Sequence, residues 1–328
     1  MLRTRLYACF AAAGLAAGLT TGAAAFEPGN VECIAPANPG GGWDFTCRQV
    51  GKVLADLDLV PSQVQVSNMA GGGGGVAYAH VVSKRGDDPN LIVAASTATT
   101  TRLAQDQFVG MTADQVRFVG ALGADYGVLV VKADAPYADL GALVDAVKAD
   151  PTSISFAGGS ATGGFDHLKV LQVMKAAEFD DIRSIRYIAF DGGGEAITQL
   201  LGGHVQVMTG DISEILGFIE SGDVRAVAVL SDERLPGGLA EIPTAKEQGF
   251  DVVAPNWRGF YVGKGVPDDA FDYWAGSLQT VYDSAEWQDI MEQNGLMPFF
   301  KAGPDFQGFV DAQVADIRAL SQEIGIIK

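Results

Sequence analysis

Three consecutive glycines between a β-branched segment and an amphipathic one constrain this chain more than any other feature. Val31-Glu-Cys-Ile-Ala35 runs into Pro36-Ala-Asn-Pro-Gly-Gly-Gly-Trp-Asp44, and the stretch 45–58 then places Cys47, Val50, Leu54 and Leu57 at helical spacing. That order reads as strand, tight loop and helix N-terminus. Such a junction gathers unpaired backbone N–H groups and the positive end of a helix dipole at one point. Glycine carries no Cβ, so a ligand can approach this backbone closely. The loop is expected to form half of an anion-binding cleft.

A second junction repeats the plan at Ile154-Ser-Phe-Ala-Gly-Gly-Ser-Ala-Thr-Gly-Gly-Phe-Asp166, and Gly41-Gly42-Trp43-Asp44 is echoed by Gly163-Gly164-Phe165-Asp166. Each Asp is placed to act as an N-cap. Either junction alone would be an ordinary βα turn; the pair favours two similar lobes facing each other. The rest of the chain alternates in the same manner. Strands are expected at 63–67, 91–95, 116–122, 127–132, 184–189, 205–209 and 224–230, with helices at 76–82, 138–149, 165–177, 195–201, 212–221, 268–283 and 305–323. The five glycines 71–75 read as a tight turn, because a helical segment follows at once. Segments 123–126 and 252–257 read as two crossings between lobes, which makes the first lobe discontinuous and leaves room for hinge closure. The last helix is expected to pack back on that first lobe.

The N-terminus has the form of a secretory leader over 1–25, with Arg3 and Arg5, an apolar run from Leu6 to Leu19 and Ala23-Ala24-Ala25 before Phe26. The apolar run is shorter than a membrane span, and the mature chain is expected to be exported and soluble. Cys9 would leave with the leader. Cys33 and Cys47 then flank the first glycine loop, either as a disulfide clamping it or as two buried thiols. The formal net charge of −18 becomes −20 without Arg3 and Arg5, which argues against a nucleic-acid partner. Net charge does not exclude an anionic ligand, since surface charges are screened over about 8–10 Å.

Enzymatic patterns fail when tested. G-x-G-x-x-G breaks at Phe45 and at Val76, and the P-loop breaks because Gly158-x-x-x-x-Gly163 continues with Gly164-Phe165. The nucleophile elbow lacks its last glycine at Gly158-Gly-Ser160-Ala-Thr162. His80, His167 and His204 have no ligand-type spacing, and His167 suits a packing or capping role better than catalysis. No metal or cofactor is expected. Asp211 ends a strand and is placed to cap the helix from Ile212, which does not exclude its facing the cleft.

Taken together, the motifs resemble the solute-binding proteins of the tripartite tricarboxylate transporter family, of the TctC or Bug type. The resemblance rests on Ala35–Asp44, Asn68-Met-Ala-Gly-Gly-Gly-Gly-Gly75, Ala157–Leu168, Gly192–Val205, Ser221–Val229, Ile242-Pro-Thr-Ala-Lys-Glu-Gln-Gly249 and Trp257-Arg-Gly-Phe260, and spans the mature chain. It implies an α/β fold of two Rossmann-like lobes joined by two crossing strands, as in type II periplasmic binding proteins. Lobe one would comprise 26–125 and 254–328, and lobe two 126–253. It further implies a monomeric, non-enzymatic periplasmic protein that delivers a small carboxylate to the transporter's membrane subunits. Carried over, Asn38, Gly40, Gly41, Gly42, Trp43, Ser160 and Thr162 would hold one carboxylate, with Asp44 near the gate. Ser96, Thr97, Tyr126 and the Asp211 region would set the distal end, and Gly193 joins the binding set. Many relatives carry a basic residue where Asp191 follows Phe190, so an ionic contact from that loop is in doubt. The form of the first loop resembles the tricarboxylate branch, which makes citrate the first ligand expected. Alternatives are a dicarboxylate, an aromatic acid, an acidic amino acid or service to a sensor. From another class, a secreted hydrolase would use Ser160 with His167.

Overall fold

The computed structural model describes residues 26–39, 42–190 and 193–328. The leader, Gly40, Gly41, Asp191 and Gly192 lie outside the described residues. Strand β1 (Glu32–Ala35) leads into α1 (Gly42–Asp56), followed by β2 (Gln65–Asn68), α2 (Gly75–Lys84), β3 (Leu91–Ser96) and α3 (Thr97–Ala104). The turn before α2 holds Gly71, Gly72, Gly73 and Gly74 all at positive φ, from 58° to 130°, a conformation that only glycine adopts without strain. The tight turn expected there is what forms.

A single strand, β4 (Val116–Lys132), then runs through the whole molecule. The sequence suggested two strands around 123–126; the backbone instead stays extended through that segment. Beyond it come α4 (Leu140–Ala149), β5 (Ser155–Gly158), α5 (Phe165–Ala176), β6 (Arg186–Ala189), α6 (Gly193–Leu201), β7 (Val207–Asp211), α7 (Ile212–Glu220) and β8 (Val224–Val229). The chain returns along β9 (Pro255–Gly263) and closes with α8 (Asp268–Asp283), α9 (Ala285–Gln293), β10 (Met297–Ala302) and α10 (Gly303–Glu323).

The sheet is mixed, in the order β2-β1-β3-β9-β4-β7-β5-β6, with β8 and β10 also paired to β4. Strands joined by helical crossovers are parallel, as β1 is to β2 and β3, and β5 to β6 and β7. Both crossing strands are antiparallel to their neighbours. Residues 116–126 of β4 pair with β9, whereas 127–132 pair with β7 and β8.

Side chains alternate across this sheet, and the cores follow that period of two. Ile92 and Ala94 join one apolar cluster with α1 and α8, whereas Leu91, Val93 and Ala95 join another with α2 and α10. In the other half, Val128 and Val130 face α6 and α7, and Leu129 and Val131 face α4 and α5. The last helix does not sit on the first half alone: Phe306 and Val310 pack there, but Ile317 and Leu320 pack against the second half. Cys33 and Cys47 are joined by a disulfide with Cα atoms 5.7 Å apart, which ties β1 to α1 across the first glycine loop. No described helix is long and apolar enough to cross a membrane.

Candidate functional site

Both junctions have the form strand, loop, helix, but the two aspartates do not cap the helices. Asp44 lies inside the first turn of α1, which begins at Gly42, and Gly164 rather than Asp166 is the N-cap of α5. Asp44 is buried, and accepts hydrogen bonds from Arg48 Nε at 2.9 Å and Asn68 Nδ2 at 2.8 Å. It therefore clamps α1 to the segment before the glycine turn. At α5 the capping task falls to Ser160, whose Oγ accepts the Asp166 N–H at 3.0 Å. Asn38 is exposed, and Gly40 and Gly41 lie outside the described residues.

Several expected residues meet in one buried polar chain. Trp43 donates its indole N–H to Ser96 Oγ at 3.2 Å, and Ser96 caps α3. Thr97 donates to the Pro255 carbonyl at 2.7 Å, tying α3 to β9. One residue along, Asn256 Nδ2 donates to Asp211 Oδ2 at 2.6 Å, and Asp211 Oδ1 accepts from Lys169 Nζ at 2.5 Å. Lys169 also donates to Asp166 Oδ1 and to the Gly210 carbonyl, each at 2.9 Å. The chain thus runs from the start of α1 to the start of α5 by way of both crossing-strand neighbours.

Lys169 is fully buried and stays charged. Burial alone would lower its pKa, but Asp166 and Asp211 more than reverse this and hold it above the ordinary lysine value. Its stem passes where Gly127 has no side chain: a Cβ there would come within 2.9 Å of Lys169 Cδ. Asp211 is the N-cap of α7, as expected, and Glu214 closes the capping box. Gly193 backs onto that glutamate, 2.6 Å separating Oε2 from where a Cβ would stand. Burial, then the charges of Asp211 and Asp166, push the Glu214 carboxyl up to about 7.

The remaining expected residues are dispersed. Tyr126 and Thr97 line a cavity of about 430 Å³ with Lys301 and Gln313. Thr162 is exposed and borders a different cavity of about 240 Å³ beside His167 and Tyr187. His167 Nδ1 accepts the Gly163 N–H at 3.0 Å and its ring stacks on Tyr187 at 4.5 Å. Burial lowers its pKa to about 4. Ser160 and His167 are therefore each committed to backbone amides, and no hydrogen bond joins them among the described residues.

Four polar residues of this region were not singled out from sequence: Asp125, Lys169, Asn256 and Arg258. Arg258 borders a cavity of about 350 Å³ together with Gly42, Phe45 and Ser213. Asp125 is fully buried, 3.7 Å from Arg258 Nη2, and accepts from the Ser213 N–H at 3.2 Å. The Oδ1 of Asn256 is buried with no partner among the described residues. The signals were faint: a lone charged residue in the otherwise uncharged 168–174, and an arginine inside the short motif Trp257-Arg-Gly-Phe260.

Comparison with known proteins agrees with this architecture. Protein BugT of Bordetella pertussis (strain Tohama I) is 27% identical over 335 residues, covering 99% of this chain and 99% of its own. The crystal structure of a TctC solute binding protein from Polaromonas matches with a TM-score of 0.75 at 22% identity, over 90% of this chain and 98% of that one. MatC from Rhodopseudomonas palustris, solved with bound malate, matches with a TM-score of 0.70 at 19% identity, over 89% and 98% of the two chains. The family model described as the tripartite tricarboxylate transporter family receptor, TctC, matches residues 47–326. The chain belongs to that family, and is a solute-binding receptor of the TctC and Bug type.

Proposed function

We propose that this protein captures a small di- or tricarboxylate, citrate first among them, and hands it to the membrane subunits of a tripartite transporter. The observation that carries this reading is the buried polar chain linking the N-terminal turns of α1 and α5 through Ser96, Asn256, Asp211 and Lys169. Helix N-termini offer unpaired N–H donors to an anion, and a rigid polar link between two of them sets their spacing. Residues 26–125 with 254–328 act as one lobe and 126–253 as the other. Closure of the two around the ligand follows from tighter binding to the closed form. The malate seen in MatC makes a C4-dicarboxylate the first alternative to citrate.

Titration of the mature protein with citrate, malate, an aromatic diacid and glutamate tests the reading. Tryptophan fluorescence reports it, because Trp43 sits at the start of α1. A saturable response to one acid, with matching thermal stabilisation, is the expected result. Silence across the panel by both measures refutes it.

A further inference from the structure

Among the described residues, the cation beside the first junction has an ionic neighbour but no side-chain hydrogen bond. Arg258 lies on β9 opposite Ser96, and its side chain is only 15% exposed. Its guanidinium rests against the first residue of α1: a Cβ on Gly42 would stand 2.9 Å from Nη1 and 3.3 Å from Cζ. Its only ionic neighbour among the described residues is Asp125, at 3.7 Å, beyond hydrogen-bond range. Lys169, by contrast, has three acceptors within 3 Å. The guanidinium thus borders the 350 Å³ cavity with no hydrogen-bond acceptor among the described residues, next to the first turn of α1.

Asp125 is the carboxylate that faces this guanidinium. It faces Arg258 on β9, Ser213 on α7 and the charge of Asp211 at the end of β7. Ser213 supplies it with both its N–H and its hydroxyl. Burial, and then Asp211, hold its carboxyl up at about 7, while Arg258 and Ser213 pull the other way. A second carboxylate on the same guanidinium would strip Asp125 of its counter-charge in a fully buried position. Such a group is neutralised by protonation rather than left charged.

We propose that Arg258 is the ionic contact for one carboxylate of the ligand, that Asp125 holds the guanidinium until the ligand arrives, and that capture takes up one proton at Asp125. This rests on the carboxylate-binding reading above. A guanidinium fork matches a carboxylate in two parallel hydrogen bonds, so the contact fixes the orientation of that group as well as its charge. It also supplies from β9 the positive charge that the loop after Phe190 does not carry.

Calorimetry with citrate, and with malate as second probe, tests the proposal at pH 6, 7 and 8 in two buffers of different ionisation enthalpy. Wild-type affinity should fall several-fold from pH 7 to 8, with net proton uptake. Arg258→Gln should weaken binding roughly 10- to 100-fold, the loss expected for hydrogen bonds to a charged group, with partial recovery in Arg258→Lys. Asp125→Asn should bind about ten-fold more tightly than wild type at pH 8 and take up no proton. Circular dichroism and thermal midpoints confirm that each variant is folded. Unchanged affinity in Arg258→Gln, or persistent uptake in Asp125→Asn, overturns the assignment while leaving carboxylate binding intact. Absence of binding by the wild type to citrate, malate, the aromatic diacid and glutamate alike defeats the carboxylate reading itself, and this proposal with it.

Discussion

Replacing Lys169 by Met isolates the charge at the centre of the polar chain. Methionine follows the same path past Gly127, where no Cβ obstructs it, so the substitution removes an ammonium without opening a cavity. Asp166 and Asp211 then share one buried region with no cation, 10–13% of each side chain being exposed. At neutral pH one of them relieves the conflict by taking a proton. Holding a carboxyl of ordinary pKa near 4 protonated at pH 7 costs about 4 kcal/mol, from 1.36 kcal/mol per unit. That figure agrees with the roughly 3–5 kcal/mol lost when one partner of a buried ion pair is removed. The same arithmetic leaves only about 1–2 kcal/mol at pH 5.

The deficit therefore has a signature in pH. The orphaned carboxyl has a raised folded-state pKa, so the loss is complete above that value and shrinks as pH falls toward the unfolded value. Urea unfolding followed by tryptophan fluorescence at pH 7.5 and pH 5 measures both limits. Lys169→Met with Asp211→Asn should recover most of the loss at pH 7.5. A deficit of equal size at the two pH values would show that packing, not charge, was lost, and would refute the reasoning. So would wild-type stability in the single variant.

Three further outcomes follow from the same geometry. Cys33→Ser with Cys47→Ser should lower stability by about 3 kcal/mol, the chain-entropy value for a closed loop of this length, and reductant should lower wild type alone; equal urea midpoints would count against the clamp. His167 is held neutral with a pKa near 4, so its contribution is full above about 6.5 and is lost as pH falls toward 4, by up to roughly 3 kcal/mol; His167→Gln should flatten that part of the pH profile. Glu214 has the opposite sign, its carboxyl raised to about 7, so Glu214→Gln should stabilise the protein by roughly 1–3 kcal/mol at pH 7.5 and change little near pH 4.5. A Glu214→Gln variant less stable at pH 7.5 would refute the burial cost assigned to this carboxylate, because Gln keeps an acceptor for the Asp211 N–H.

The fold was largely legible because its signals are local. Alternating β-branched runs, glycine turns and apolar stripes at helical spacing lie within windows of ten residues, and they mark β1, β3, β5, β7, α1, α5 and α8. Errors arose where local chemistry and tertiary pairing disagree. Gly123 reads as a break, yet β9 and β10 flank that segment and keep β4 extended through it. The stretch 284–302 was left unassigned. Its strand, β10, carries Pro298 where the register with β4 shifts, so its alternation is interrupted in just the place where a sequence pattern would be sought.

The strand, loop and helix order at the two junctions was legible in the sequence, and the buried charges between them were not. Glycine loops announce themselves because their chemistry is written in consecutive residues, whereas a buried ion pair is defined by partners remote in sequence. Lys169 meets Asp211 across 42 positions, and Asn256 meets it across 45. Arg258 and Asp125 are brought together only because β9 returns beside β4. This division has a physical basis. Backbone donors at a helix end serve any anion. Discrimination among acids needs side chains as well, and Arg258 and Asp125 are buried polar groups on the crossing strands. Arg258 and Asp125 lie on the two strands that link the halves of the sheet, where a change in ligand charge and a change in the relative position of the halves would be felt by the same two residues.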